Sequence, residues 1–124
     1  MLAKIHTPLA PEALGPYSQA IDTGNMLFVS GQVGIDPSTG ELPDSFEAQA
    51  NNVMGNLKAI LEKADFSFDQ VAKATVFLTD MADFSKINEI YGSYFPRHKP
   101  ARACVQVAAL PKGGKVEIEL IAVR

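Results

Sequence analysis

The chain holds one cysteine, Cys104, and two histidines far apart, His6 and His98. A lone thiol forms no intrachain disulfide, so an oxidising compartment is not implied. One thiol and two distant imidazoles are also too few for a structural zinc site. There is no basic excess: 11 basic and 14 acidic residues give a formal charge of −3, whereas a non-specific nucleic-acid binder usually carries a positive one. No apolar run approaches the roughly 20 residues that span a bilayer. Lys4, His6, Pro8, Pro11 and Glu12 interrupt any signal-peptide core. Repeats, low-complexity tracts and linkers are missing too. These absences point to a cytoplasmic protein with no metal, no membrane and no nucleic acid.

What is present is the composition of a globular protein. The 124 residues are 47% hydrophobic and 20% charged, which excludes a mostly disordered chain and suits one domain over 1–124. Residues 17–31 read as a hairpin around Thr23-Gly24-Asn25. Asp36-Pro37 and Gly40 mark a tight turn within 35–42. Over 45–64 the residues Phe46, Ala50, Val53, Met54, Leu57, Ile60, Leu61 and Ala64 form one apolar stripe, which predicts a helix. Asp44 and Glu47 offer a capping box for it. A β-branched strand follows at 71–80 and a second amphipathic helix at 83–94, which Pro96 stops. Its apolar face, Phe84, Ile87, Ile90, Tyr91 and Tyr94, reads as core. Two more strands, 101–108 and 115–123, flank Leu110-Pro111-Lys112-Gly113-Gly114.

The order β-β-α-β-α-β-β is α+β, with two one-sided helices covering one face of a single mixed sheet. The other face is then either wet or buried by another subunit. If the last two strands pair as a hairpin, their apolar sets share one face. Alternation would then turn Ala103, Val105 and Val107 toward the helices. Arg102, Cys104 and Gln106 would lie on the opposite face with Glu117 and Glu119. An Arg, a thiol and a carboxylate would converge there. On these residues alone, a cross-strand ion pair is the commoner meaning of such a pattern. Cys104 lacks a nearby His to activate it. Gly31-Gln32-Val33-Gly34 lacks the Gly-Lys-Ser/Thr ending of a phosphate loop.

Several stretches carry a resemblance over nearly the whole chain: GPYSQA at 15–20, FVSGQVGIDPSTGEL at 28–42, NLKAILEKA at 56–64 and VAKATVFLTDMADFSKINEIYGSYF at 71–95. The most specific is PARACVQVAALPKGGKVEIELIAV at 100–123. In these the chain resembles the Rid family, the reactive intermediate deaminases, and its RidA branch. The resemblance implies a chorismate-mutase-like homotrimer with a central barrel-like core and clefts between subunits. It implies hydrolysis of 2-imino acids such as 2-iminobutanoate and 2-iminopropanoate to 2-keto acids and ammonia, with no cofactor. By matching motif, Arg102 resembles the anchor for the substrate carboxylate. Glu117 resembles the group that positions or deprotonates water, and Cys104 a pocket residue acting through its backbone. Tyr17, Ser30, Gly31 and Asn88 match positions around the cleft. Two alternatives stand beside this reading: a non-catalytic 2-keto or amino-acid sensor using the same clefts, and an RNA-acting translation inhibitor.

Overall fold

A computed structural model describes residues 1–124. Its elements are β1 (Ala3–Ile5), β2 (Ala20–Asp22), β3 (Met26–Val33), α1 (Phe46–Lys63), β4 (Val71–Leu78), α2 (Phe84–Ser93), β5 (Ala101–Gln106) and β6 (Val116–Val123). They form an α+β fold with one six-stranded mixed sheet in the order β1-β2-β3-β6-β4-β5.

The expected hairpin is β2 paired antiparallel with β3, closed by Thr23, whose hydroxyl and amide both reach Met26. The extra strand β1 has only three residues and no periodicity to announce it. Helix α1 begins one residue later than the Asp44 cap would place it. Ser45 is the cap, and its hydroxyl accepts the Ala48 amide at 3.1 Å. Helix α2 buries Ile87 and Tyr91, while Phe84 stays 37% exposed.

One face of the sheet is covered by both helices. Leu27, Val29, Ala74, Val76, Leu78, Val116, Ile118 and Leu120 point there and meet the apolar stripe of α1 in a single buried core. Alternation places Glu117 and Glu119 on the other face, as expected.

The last two strands, however, are not a hairpin. Strand β6 lies between β3 and β4, antiparallel to both, and β5 pairs in parallel with β4. A strand–helix–strand unit, β4-α2-β5, puts its second strand parallel beside the first, and this local rule overrides the adjacency of β5 and β6 in sequence. The consequence is a change of face. Arg102, Cys104 and Gln106 stand opposite Ala74, Val76 and Leu78 and so share the helix-covered face. Ala101, Ala103 and Val105 turn to the open one. The expected convergence of Arg102, Cys104 and Glu117 on one surface of a single chain is therefore corrected.

The open face is largely apolar. Phe28 pairs with Ile121, and Val105 and Glu117 flank Phe77. Phe28, Val105 and Val123 are 43%, 44% and 40% exposed. No helix of the chain covers them, and none is long and apolar enough to cross a membrane.

Candidate active site

The sequence-predicted residues separate into two groups. The first surrounds Glu117 on the open face. Strand β3 falls out of step with β6 between Val29 and Gln32, so Ser30 and Gly31 lie in a register break. Such a bulge re-aims the backbone and opens space beside a strand. Here Ser30 is fixed by two bonds toward β2: its amide donates to the Gln19 carbonyl at 3.0 Å, and its hydroxyl to the Ser18 carbonyl at 2.6 Å. Gly31 is required by close approach. A Cβ at this position would stand 2.0 Å from Glu117 Oε2.

A cleft of about 360 Å³ results, walled by Tyr17, Ser30, Gly31 and Glu117, with Leu14 and Pro111 at its margins. The Tyr17 hydroxyl accepts the Leu14 amide at 3.2 Å, which holds the exposed ring beside the cleft. Burial first, and the like charge of Glu119 second, push the Glu117 carboxyl above its ordinary pKa. Such a carboxylate is more basic than a free one and better suited to take a proton from water.

The second group surrounds Arg102 on the helix side. Arg102, Asn88 and Tyr91 line a separate cleft of about 340 Å³ between α2 and the segment entering β5. The guanidinium carbon of Arg102 stands 5.0 Å from the Tyr91 ring centroid and 5.7 Å from that of Phe84. Arg102 takes part in none of the ion pairs of the chain. Its charge remains available to an anion.

Cys104, two residues on, packs partly against the core. Burial pushes its thiol pKa up, only partly opposed by the Arg102 charge, so it is a neutral thiol rather than a thiolate nucleophile near pH 7. Gln106 accepts the Met81 amide at 2.8 Å and so ties the approach to α2 onto the end of β5. The two histidines lie elsewhere: His6 pairs with Glu12, and His98 meets the Val71 carbonyl. No cluster of three or more His, Cys, Asp or Glu is placed to hold a metal ion.

The structure thus brings Tyr17, Ser30, Gly31 and Glu117 together, and separately Asn88 and Arg102. Sequence reasoning missed Leu14 and Pro111 as walls. It also missed Phe84 and Tyr91 as neighbours of Arg102. For the aromatic pair a signal existed: they lie seven residues apart, on one face of a helix that must pack over the strand following it.

Comparison with known proteins agrees with this architecture. The profile of the family described as Endoribonuclease L-PSP matches residues 7–124. The chain is 47% identical over 127 residues to the 2-iminobutanoate/2-iminopropanoate deaminase of Escherichia coli K12, covering 100% of this chain and 99% of that one. It is 53% identical to protein DfrA of Myxococcus xanthus, covering 96% and 93% of the two chains. Among solved structures, E. coli TdcF with bound serine superposes with a TM-score of 0.95 at 49% identity, covering 98% of each chain. Family profile, full-length relatives and superposed fold agree: the chain belongs to the Endoribonuclease L-PSP family, the Rid family of reactive intermediate deaminases.

Proposed function

We propose that this protein hydrolyses 2-imino acids, 2-iminobutanoate and 2-iminopropanoate among them, to 2-keto acids and ammonia. The observation that carries this reading is the pair of chemically distinct clefts. One presents an uncompensated guanidinium, the other a carboxylate made more basic by its surroundings. A relative named for this activity, matching over the full length, supports the choice of substrate.

The chemistry needs little more than these groups. Arg102 anchors the substrate carboxylate through its planar N–H fork, and Asn88 beside it adds polar contact. A protonated imine is already electrophilic. Glu117 orients a water and takes one of its protons as the oxygen attacks C2. The proton passes to the nitrogen, and as the C–N bond breaks Glu117 takes the remaining hydroxyl proton and gives it to the departing ammonia, so that a 2-keto acid and an ammonium ion leave. Water supplies the keto oxygen, and no electrons are gained or lost. Gly31 leaves room for the carboxylate, and Tyr17 and Ser30 shape the wall facing the substrate. Cys104 contributes through backbone. It lies on an edge strand, whose outer row of amides and carbonyls is unpaired.

The two half-sites meet across a subunit interface in this proposal. Within one chain they occupy opposite faces of the sheet with β4 between their strands, a separation no three- or four-carbon acid spans. The apolar open face supports association with further copies, since monomers rarely expose so much contiguous apolar surface. The homotrimer that the family resemblance implies would bring the Glu117 cleft of one subunit to the Arg102 cleft of the next.

The test is an imine-trapping assay. The imino acid is generated in situ with semicarbazide present, and semicarbazone formation is followed. Wild-type protein suppresses trapping and Arg102→Ala does not. Equal trapping with and without wild-type protein would remove the deaminase reading.

A further inference from the structure

Arg102 is held without a counter-ion. Arginines near a protein surface are commonly fixed by a carboxylate, but a carboxylate would compete with an anionic ligand for the same N–H donors. Here two aromatic rings take its place, at 5.0 and 5.7 Å from the guanidinium carbon. A ring face attracts the cation through its quadrupole and consumes none of the five N–H donors.

Both rings come from α2. Phe84 is its first residue and Tyr91 lies seven positions on, so two helical turns bring them to one face. Arg102 reaches that face because β5 runs parallel to β4 beneath the helix. Tyr91 is 8% exposed and packs on Phe95 at 4.7 Å between ring centroids, which makes it a fixed floor. Its hydroxyl is the one buried side-chain polar atom with no hydrogen-bond partner. What the site draws from Tyr91 is therefore the ring.

We propose that Phe84 and Tyr91 are positioning residues: together they clamp the Arg102 guanidinium in one plane while leaving its charge and its donors open to a carboxylate ligand. This rests on the reading of Arg102 as the carboxylate anchor, but the clamp itself can be tested without turnover.

The experiment measures ¹⁵N relaxation of the Arg102 Nε–H group, assigned by its disappearance in Arg102→Lys, in wild type, Phe84→Leu, Tyr91→Leu and Tyr91→Phe. Imine-hydrolysis kinetics are measured on the same samples. The clamp predicts an ordered Nε–H in wild type and a mobile one in Phe84→Leu and Tyr91→Leu. Order returns in Tyr91→Phe, which restores the ring. KM for the imino acid rises about two- to fivefold in Phe84→Leu with kcat nearly unchanged, the size expected for an exposed cation–π contact. An Arg102 Nε–H as mobile in wild type as in Phe84→Leu would overturn the clamp. So would a loss of order in Tyr91→Phe equal to that in Tyr91→Leu. Phe84 is exposed enough for its variant to fold, so a misfolded Tyr91→Leu leaves the decision with it. If wild type hydrolyses no imine, the relaxation data still decide the clamp, and only the deaminase reading falls.

Discussion

The Glu117 cleft and the Arg102 cleft use one sheet in opposite ways. Around Arg102 the sheet is roofed by the chain's own helix, and the charge is fixed by rings that belong to the same fold. Around Glu117 the sheet is bare, and a register break in β3 supplies the space. The Arg102 cleft offers a guanidinium and no carboxylate among its lining residues. The Glu117 cleft offers carboxylates and no cationic side chain. Placing the two on opposite faces means that, under the proposed function, neither would serve a small 2-imino acid alone, and assembly of the sheet faces would be part of building the site.

The variants that separate these two roles most strongly come first. Glu117→Gln should lower kcat about 10²- to 10⁴-fold with little change in KM, because it removes proton transfer and not binding. The same variant bears on stability. The folded-state pKa of Glu117 is raised, so its protonated form is the one the fold favours. Its contribution is present below the unfolded pKa and is lost as pH rises through the folded one, so ionised Glu117 costs stability at neutral pH. Glu117→Gln should therefore melt slightly higher than wild type at pH 7 and not at pH 4. The gain should stay under about 1 kcal/mol, since solvent still screens a half-buried group. Thermal melts at the two pH values check this, and a variant less stable at pH 7 would count against it.

Arg102→Ala should lower kcat/KM by roughly 10²-fold, with most of the loss in KM, because an anchoring charge acts on substrate and transition state alike. Steady-state kinetics against Glu117→Gln make the contrast, and a loss confined to kcat would erase it. Gly31→Ala should cost roughly tenfold in kcat while the protein stays folded. The added methyl would stand 2.0 Å from Glu117 Oε2, and the carboxylate must swing away from the cleft. Circular dichroism beside kinetics separates this from unfolding.

The smallest effects are on pH and on the orphan hydroxyl. If ionised Glu117 is the base, kcat/KM should fall on the acid side with an apparent pKa above that of a free glutamate, about 4.3. Glu119→Gln removes a like charge and should move that limb to lower pH. A limb that stays put or moves upward would show that Glu119 does not act on the base. Tyr91→Phe should be neutral to stabilising by about 1 kcal/mol in a denaturant melt, because it deletes a buried hydroxyl that bonds to nothing.

Much of this architecture was legible in the sequence. The apolar stripe of 46–64 and the β-branched run of 71–78 declared their elements because local periodicity and burial agree there. The family resemblance named Tyr17, Ser30, Gly31 and Glu117 of one cleft and Asn88 and Arg102 of the other, but not Leu14, Pro111, Phe84 or Tyr91. What was not legible was which strands touch. Adjacency suggested a hairpin of β5 with β6, while the crossover helix between β4 and β5 imposes the parallel pairing and leaves β6 to slot in on the other side of β4. One wrong neighbour inverts a whole face, and so Arg102 and Glu117 were expected together. The Ala and Val residues of β5 misled for a related reason. They look like core by alternation, yet they line the open face, where their apolar character suits contact with another subunit.

Co-expression of Arg102→Ala and Glu117→Gln subunits tests the central claim most directly. At substrate well below KM, each variant alone keeps about a hundredth or less of the wild-type rate by the predictions above. If every site takes its guanidinium from one subunit and its carboxylate from the next, random mixing leaves about one site in four with both groups intact, and imine hydrolysis returns to roughly a quarter of the wild-type rate. If both groups serve the same site within one chain, no mixed assembly holds an intact pair. Mixed protein as inactive as either variant alone would contradict the account.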